Sequence, residues 1–396
     1  MERIIMHIDV NNAFLSWTAI DLLRHGEKVD IRKTYAVIGN EKEKRHGIVL
    51  AKSTPIKKLG VKTAEPIFMA RKKCPSLKVY PPHFKWYKYM SHKMFSLIES
   101  YVPTTEKFSI DECFLDYTAY QNIYGDPLKF AYKLKNEIER KLGFTVNIGV
   151  ANSKLCAKMA SDFEKPNRVH TLFNYEIDRK MKPLPIENLF FIGKKTAAKL
   201  RSLNINTIYD LSITDPDTLY PGFKNSAYKM VEYANGIDNS KVEERGPRKG
   251  FSNSVTTTKN LVHVEEVYEI LKSISENLSA SLKKEKRYAR VVRVSLKNST
   301  FKTYSHQMKL DNPTSSVNKI YESARKLAKE LWRDEKIRLV SLAVDSLTDE
   351  VYFQTSIFDD NNNFLEEKKL DDTLREIKNK FGTNVIVKAS SKNKKH

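Results

Sequence analysis

Residues 7–14 read HIDVNNAF and residues 108–116 read FSIDECFLD, and these two stretches decide the architecture of the chain. In the first, an apolar strand delivers Asp9 into a turn that precedes a predicted helix. In the second, the adjacent carboxylates Asp111 and Glu112 interrupt an otherwise apolar run. Adjacent residues of a strand point to opposite faces, so a kink at this pair is needed for both to reach one ion.

Two interpretations of these carboxylates stay open on spacing alone. Three carboxylates on neighbouring strands repel one another unless hard cations neutralise them, and ligands that are all oxygen suit Mg²⁺. Two such ions would form the clamp that phosphoryl transfer uses. The alternative is structural, because a strand-end Asp is often a cap or turn residue and an Asp-Glu pair is often a solvated edge.

The pattern around these stretches predicts an α+β core followed by a separate module. The predicted strands of the core are 4–10, 79–80, 114–117 and 145–150, and its predicted helices are 14–23, 86–101 and 128–142. Residues 246–345 follow a βαββαβ order, which predicts a four-stranded sheet with helices on one face and the other face free. In its strand 287–294, strict alternation places Ala289 on the same face as Val291 and Arg293. The Gly- and Pro-containing segment 243–250 is interpreted as an exposed linker.

The charge of the chain predicts a polyanionic partner. Its 396 residues include 69 Lys and Arg against 48 Asp and Glu, a formal net charge of +21. Residues 1–170 carry a net charge of +11 and residues 246–345 one of +9, while the segments 171–245 and 346–396 are nearly neutral. Nucleic acid is the first candidate and anionic membrane the rival.

Composition narrows the class and the compartment. A hydrophobic fraction of 40% excludes wholesale disorder, and the length predicts two to four domains. No apolar run is long enough to span a membrane, and the first residues lack the pattern of a signal peptide. The three cysteines, Cys74, Cys113 and Cys156, form neither a disulfide framework nor a zinc motif. We therefore expect a cytoplasmic protein that does not bind membranes.

Five segments carry a resemblance to a known family. They are IDVNNAF at 8–14, SIDE at 109–112, NIGVA at 147–151, AKMASDFEKPN at 157–167 and IGKKT at 192–196. In these segments the chain resembles the Y-family translesion DNA polymerases, in the branch of bacterial DNA polymerase IV and the UmuC-like enzymes. The match is collinear over roughly residues 1–345.

The resemblance implies a multidomain α+β fold, the right-hand polymerase. It implies a palm formed by residues 1–12 and 80–168, with small fingers inserted at 13–79. A helical thumb with a helix-hairpin-helix at 169–240 and a βαββαβ little finger at 247–345 would follow, and residues 346–396 would form a tail.

The resemblance also implies the catalytic and nucleotide-binding residues. Asp9, Asp111 and Glu112 would be catalytic and would bind two Mg²⁺ ions, with the backbone carbonyl of Val10 completing one ligand shell. Phe14 occupies the position of the steric gate, the aromatic ring that excludes a ribose 2′-hydroxyl.

Three contacts to the incoming nucleotide follow from the same match. Lys165 matches the palm lysine that contacts the triphosphate, and Thr54 and Lys57 match the fingers positions of its Tyr and Arg ligands. The chain departs from the pattern at these last two positions and at Asn11, where the family usually has a second acidic residue. Lys57 supplies charge without a bidentate guanidinium, and Thr54 supplies a hydroxyl without a ring.

Two shorter segments suggest macromolecular contacts. Residues 189–200 resemble a helix-hairpin-helix, in which Gly193 would permit a tight turn and Gly193, Lys194 and Lys195 would hold a DNA phosphate. Residues 354–358, QTSIF, resemble the peptide that docks bacterial polymerases on the sliding clamp through Gln354, Ile357 and Phe358; the alternative is a short strand end. Residues 365–381 are predicted to form a charged amphipathic helix.

The function predicted from these features is template-directed DNA synthesis of the translesion type. The expected partners are primer–template DNA, dNTP and a sliding clamp, and we expect a monomer of low fidelity without proofreading. One alternative is a catalytically reduced factor that binds DNA and the clamp. Another is a nucleotide cyclase or similar two-metal enzyme, which the thumb and the basic C-terminal module disfavour.

Overall fold

A computed structural model describes residues 2–40, 47–244 and 246–349, together with residues 373, 377 and 380 of the predicted tail helix. The chain divides into two units, Met1–Arg245 and Gly246–His396. The predicted clamp peptide lies outside the described residues. Among the helices of the described ranges, none is both long and apolar enough to cross a membrane.

The first unit is a mixture of strands and helices. Its strands are β1 Ile5–Val10, β2 Ala36–Ile38, β3 Ala51–Lys52, β4 Lys78–Tyr80, β5 Thr105–Lys107, β6 Glu112–Asp116, β7 Val146–Ala151 and β8 Val169–Leu172. Its helices are α1 Ala13–Arg24, α2 Thr54–Lys58, α3 Ile67–Lys73, α4 Phe84–Glu99, α5 Gln121–Tyr124, α6 Pro127–Leu142, α7 Lys154–Asp162, α8 Ile177–Lys180, α9 Lys194–Arg201, α10 Ile208–Ser212, α11 Pro216–Phe223 and α12 Ser226–Ala234.

The second unit has the order strand, helix, two strands, helix, strand. Its elements are β9 Gly250–Leu261, α13 Val264–Lys284, β10 Ala289–Asn298, β11 Thr303–Thr314, α14 Val317–Leu331 and β12 Ile337–Asp345. The predicted α+β, multidomain class is confirmed, and the predicted βαββαβ order of residues 246–345 agrees with these elements.

Strand β1 lies at the centre of a five-stranded sheet of order β5-β6-β1-β7-β8. It runs antiparallel to both β6 and β7 and is buried along its whole length. Alternate residues Met6, Ile8 and Val10 belong to the core that contains α4 and α6, whereas His7 and Asp9 face α7 and the residues after it. Because side chains alternate along the strand, β1 has one apolar face and one face that bears His7 and Asp9.

Helix α7 approaches the sheet closely because β7 has a glycine at the crossing point. A Cβ atom on Gly149 would lie 2.0 Å from the carbonyl oxygen of Ala157 and 2.6 Å from the amide nitrogen of Ser161, both in the helix backbone. The N-terminus of the helix is held as well. The Ser153 hydroxyl accepts from the Cys156 amide at 3.2 Å, and the Asp238 carboxylate accepts from the Leu155 amide at 3.0 Å. The helix backbone is thereby fixed over β1 and β7.

The second sheet has the order β11-β10-β12-β9, with every neighbouring pair antiparallel. Both α13 and α14 cover one face, where alternate residues of β10 such as Val292 and Val294 join the core. The placement of Ala289 on the face of Val291 and Arg293 is wrong. The register shifts between Ala289 and Val291, and Ala289 is buried in the same core as Val292.

Among the described residues no helix covers the other face of this sheet, which is rich in hydroxyl groups. Cross-strand register aligns one serine from each strand in a row: Ser305, Ser295, Ser341 and Ser254. The neighbouring row contains Arg293, whose guanidinium pairs with the Asp345 carboxylate at 2.9 Å.

The three cysteines are separate, reduced and buried. Burial raises the pKa of the Cys156 thiol to about 11, and burial raises the pKa of Cys113 still further. These thiols pack in the cores of the first unit as small apolar side chains.

Candidate active site

Asp9 and Glu112 are direct cross-strand partners at the ends of β1 and β6. Both side chains point to the face covered by α7, with 9% of the Asp9 side chain and 20% of that of Glu112 exposed. Two carboxylates opposed in this way repel each other, and their partial burial removes most of the solvent that would screen them. The site therefore requires positive charge close to both.

Asp111 lies just outside β6, which begins at Glu112. Its backbone carbonyl accepts from the Val10 amide at 3.1 Å, so the main chain of Asp111 is adjacent to β1. Its carboxylate instead accepts from the Ser109 hydroxyl at 2.5 Å. The structure thus brings together two of the three predicted carboxylates. Within the described residues no three Asp, Glu, His or Cys side chains are arranged to hold a metal ion.

Two lysines from α7 and its following loop neutralise the paired carboxylates. The Lys158 ammonium contacts Glu112 at 2.9 Å, and the Lys165 ammonium contacts Asp9. Asp162 joins the two lysines, lying 2.7 Å from Lys165 and 3.7 Å from Lys158. The five side chains form a continuous sequence of alternating charge, which we call the charge chain: Asp9, Lys165, Asp162, Lys158 and Glu112.

The pKa values of this chain follow from burial and its neighbours. Burial raises the pKa of Asp9 to about 7 although the Lys165 ammonium opposes the rise. The pKa of Lys165 is raised, because Asp9 and Asp162 favour its charged form more than burial disfavours it. Burial acts to raise the pKa of Glu112 as well, but the Lys158 ammonium 2.9 Å away favours the charged form and holds that pKa well below its usual range. A cation close to either carboxylate therefore has a large effect on the pKa of that carboxylate.

His7 lies on the same face as Asp9 and is fully buried. Burial lowers its pKa to about 4, so the ring is neutral at pH 7. The Ser161 hydroxyl donates to the Lys158 carbonyl, so it accepts from His7 Nδ1, which must carry the proton. Nε2 lies 3.7 Å from Glu112, beyond hydrogen-bonding distance, and has no hydrogen-bond partner among the described residues. His7 therefore contributes no positive charge to Glu112.

Asn11 has a structural role at the position where the resemblance leads one to expect an acidic residue. Its Nδ2 donates to Asn147 Oδ1 at 3.0 Å, and its Oδ1 accepts from the Asn167 amide at 2.9 Å. Asn147 is fixed in orientation because its own Nδ2 donates to the carbonyls of Ser161 and Glu164. This amide network holds the loop that carries Lys165 against β1 and β7.

Phe14 is the second residue of α1, which begins directly after Asn12, whose φ of 48° turns the chain out of β1. Its ring stacks on Tyr87, with centroids 4.6 Å apart and planes inclined by 9°, and meets Phe84 edge-on. The Tyr87 hydroxyl is hydrogen-bonded to that of Thr18 at 2.7 Å. The half-buried Phe14 ring is thereby held rigidly at the start of α1, five residues after Asp9.

Thr54 and Lys57 lie apart from the charge chain in the contacts that the structure describes. Both are exposed on α2, three residues apart, and Ser53 caps that helix by accepting from the Ile56 amide at 3.5 Å. No hydrogen bond or ion pair of the described residues joins either side chain to Asp9 or Glu112.

Gly193, Lys194 and Lys195 are exposed at the start of α9, but the predicted reason for the glycine is wrong. Gly193 has φ −78°, which any residue adopts, and a Cβ atom there would meet nothing within 4 Å. The left-handed residue of this turn is Phe191, with φ 75°. Gly193 leaves the helix N-terminus uncovered, so its amide groups are accessible to a phosphate.

Sequence reasoning missed Lys158, Asp162, His7 and the partners of Asn11 as parts of the site. A signal was available: Lys158 and Asp162 are four residues apart on α7, and Lys165 follows three residues later. His7 was likewise detectable, because it lies two residues before Asp9 and strand alternation places both on one face.

The residues present fit a hard divalent cation. Every candidate ligand atom is an oxygen, the type that Mg²⁺ prefers. Two of the carboxylates are opposed and partly buried, and each already contacts an ammonium group. Their oxygens therefore surround a position where positive charge is stabilised. The Asp111 side chain is the member that is not gathered there.

Comparisons with known proteins agree with these features. Residues 8–162 match the impB/mucB/samB family, and residues 248–357 match the C-terminal domain of that family. The chain is 43% identical to a DNA polymerase IV of Clostridium acetobutylicum over 98% of both chains. It is 32% identical to a DNA polymerase IV of Acetivibrio thermocellus over 96% of each. A solved Y-family DNA polymerase chimera of Dbh and Dpo4 shares its fold, with a TM-score of 0.77 and 24% identity, covering 88% of this chain and all of the chimera.

We expect Asn11→Asp to destabilise the protein although it restores the residue type that the resemblance implies. The new carboxylate would face Asn147 Oδ1, which the two carbonyl acceptors prevent from turning away. The lost donor and the opposed oxygens should cost about 1–3 kcal/mol. Thermal unfolding measures this as a lower Tm.

The control for this prediction is a double-mutant cycle with Asn147→Ser, whose hydroxyl can donate to the aspartate. The cycle should show favourable coupling between the two substitutions. Equal effects of Asn11→Asp in the wild-type and Asn147→Ser backgrounds would contradict the network.

Proposed function

This chain belongs to the impB/mucB/samB family and is a Y-family DNA polymerase, and on that premise we propose that it extends primers across damaged templates by two-metal-ion catalysis. The observation that carries the chemistry is the opposed pair Asp9 and Glu112 at the ends of neighbouring strands. We propose that synthesis is of low fidelity and proceeds without proofreading.

We propose that Asp9, Asp111, Glu112 and the carbonyl of Val10 hold two Mg²⁺ ions. When bound, such ions supply the positive charge that activates the attacking oxygen and stabilises the leaving oxygen in phosphoryl transfer. The main chain of Asp111 is already anchored to β1 by the Val10 amide. Among the described residues, the Ser109 hydroxyl is the hydrogen-bond partner of the Asp111 carboxylate, so a side-chain rotation frees it to bind.

The nucleotide is positioned by lysines and by the ring of Phe14. We propose that Lys165 leaves Asp9 to contact the triphosphate, which offers the same type of anionic oxygen as Asp9 and Asp162. We assign Thr54 and Lys57, exposed on α2, to the same triphosphate. Phe14, braced by Tyr87, is the steric gate that a ribose 2′-hydroxyl would strike.

The domains are assigned accordingly. We propose a palm of residues 1–12 and 80–168, fingers of 13–79, a thumb of 169–240 and a little finger of 247–345. The amide groups at the start of α9, with Lys194 and Lys195, would hold the DNA backbone without reading its sequence. The hydroxyl-rich face of the second sheet would contact DNA through hydrogen bonds, and the basic residues of the module would make the binding salt-dependent.

The remaining assignments concern partners and location. We propose that residues 354–358 dock a sliding clamp through Gln354, Ile357 and Phe358. We further propose that the protein acts as a cytoplasmic monomer on primer–template DNA and dNTP.

Replacing the carboxylates should abolish synthesis without abolishing DNA binding. Asp111→Ala and Glu112→Ala each remove a proposed ligand of the cations that phosphoryl transfer requires. Because the charge of these cations lowers the reaction barrier by several kcal/mol, primer extension should fall by about 10³-fold. Single-nucleotide incorporation measures the rate, and fluorescence anisotropy with labelled primer–template measures binding. Asp116→Asn is the control on the same strand, since Asp116 caps Thr118 and lies outside the site. Extension that survives in either alanine variant refutes the metal assignment.

Phe14→Ala should relax sugar discrimination. The ring stacked on Tyr87 is expected to exclude the 2′-hydroxyl by contact, and its loss should increase use of ribonucleotides by about 10- to 100-fold relative to deoxynucleotides. The measurement is the ratio of kcat/KM for the two sugars opposite one template base. An unchanged ratio, in a variant that still incorporates deoxynucleotides, contradicts the steric gate.

Deleting residues 354–358 should abolish stimulation by the clamp while basal synthesis persists. The peptide lies beyond the elements that form the active site, so only the recruitment step should be lost. Primer extension with and without the clamp gives both rates. Stimulation that persists after the deletion contradicts the assignment.

A further inference from the structure

The charge chain has a central member that the proposed catalysis does not use. Asp162 is the last residue of α7 and touches both lysines, Lys165 at 2.7 Å and Lys158 at 3.7 Å. Each lysine therefore contacts two carboxylates, one shared and one that belongs to the opposed pair Asp9 and Glu112. Half of the Asp162 side chain is exposed, compared with 10% for Lys158.

We propose that Lys158 and Lys165 compete with divalent cations for Glu112 and Asp9, and that Asp162 retains their ammonium groups when the cations bind. The inference rests on the proposed function, since it takes Asp9 and Glu112 to be metal ligands. Lys158 and Asp162 are positioning residues that set the affinity of the site for metal in opposite directions.

Competition follows from the contacts. The Lys158 ammonium binds Glu112 Oε1 at 2.9 Å, and the Lys165 ammonium binds Asp9 Oδ2, so a cation must share or replace these contacts. A divalent cation placed between two ammonium groups would be repelled by both in a partly buried site. Among the described residues, the Lys158 ammonium lies closer to Glu112, at 2.9 Å, than the His7 ring does, at 3.7 Å.

Displacement is possible because neither lysine has to lose every partner. Both ammonium groups already lie near Asp162, so a rotation of the side chain transfers each to a carboxylate outside the opposed pair. The helix itself does not need to move. Its backbone is fixed by the close contact at Gly149 and by the Asp238 and Ser153 caps.

Binding of Mn²⁺ to the full chain without DNA or nucleotide tests the inference directly. Electron paramagnetic resonance of free Mn²⁺ gives the affinity without any reaction. Lys158→Met should bind Mn²⁺ at least about ten-fold more tightly, the lower limit of the effect that a close opposite charge has on a carboxylate. Without metal the variant should have a lower Tm than the wild type, and Mn²⁺ should raise that Tm by more.

Lys154→Met is the matched control. Lys154 lies on the same helix and is similarly buried, but it pairs with Glu106 at 2.6 Å, outside the charge chain. Its loss removes the same charge without freeing Glu112, so it measures the general electrostatic effect. A change in Mn²⁺ affinity no larger for Lys158→Met than for Lys154→Met overturns the inference.

Two further variants test the direction of each role. Asp162→Asn should weaken Mn²⁺ binding, because the lysines then have only Asp9 and Glu112 as partners; unchanged or tighter binding overturns the role of Asp162. Lys158→Arg keeps the charge and provides a reading even if Lys158→Met does not fold. Its guanidinium holds Glu112 at least as strongly, so tighter Mn²⁺ binding by this variant contradicts competition.

Glu112→Gln separates failure of this inference from failure of the proposed function. If Glu112→Gln binds Mn²⁺ as well as the wild type, the metal assignment itself is wrong. If Glu112→Gln loses binding while Lys158→Met resembles Lys154→Met, the metal site stands and only the competition fails.

Discussion

The first unit depends on the opposition of Asp9 and Glu112 across two neighbouring strands. Two negative charges in partly buried positions are unstable together, and the surrounding structure supplies the compensation. Gly149 allows α7 to approach closely enough for Lys158 to reach Glu112. The amide network of Asn11 holds the loop from which Lys165 reaches Asp9. Helix, loop and sheet are thus arranged around one electrostatic requirement.

Much of the fold could be predicted from the sequence in segments where apolar residues recur with the period of a strand or a helix. Hydrophobic spacing located the strand ending at Val10 and the helices α1, α4 and α6 to within a few residues, and alternation implies that His7 and Asp9 share a face. The position of Asp111 was harder to predict, because it depends on where β6 begins. No pattern in the surrounding sequence indicates the bulge at Ala289 or the left-handed conformation of Phe191. The face on which Ala289 lies and the role of Gly193 in the turn were therefore predicted wrongly. Ion pairs such as Lys158 with Glu112 depend on tertiary packing that spacing alone does not encode.

The departure from the family pattern at Asn11 has a physical explanation in its neighbours. An amide there both donates and accepts, and Asn147 is oriented to receive the donated hydrogen. A carboxylate would only accept. The residue that deviates is therefore matched by a second residue 136 positions away, and the carboxylates proposed to be catalytic remain as the resemblance implies. Thr54 and Lys57 have no such compensating partner in the contacts described. We therefore expect their departure from the family pattern to affect binding of the nucleotide.

The burial of the cysteines affects how they react with the oxidants that also damage DNA. Hydrogen peroxide reacts with the thiolate form of cysteine, and a pKa of about 11 leaves about one Cys156 thiol in ten thousand ionised at pH 7. Cys113 is protected further by the same cause, and Cys74 is also buried. Oxidants that modify bases therefore react slowly with Cys113 and Cys156. The cores of the first unit are in this way lined with thiols that are poor nucleophiles at neutral pH.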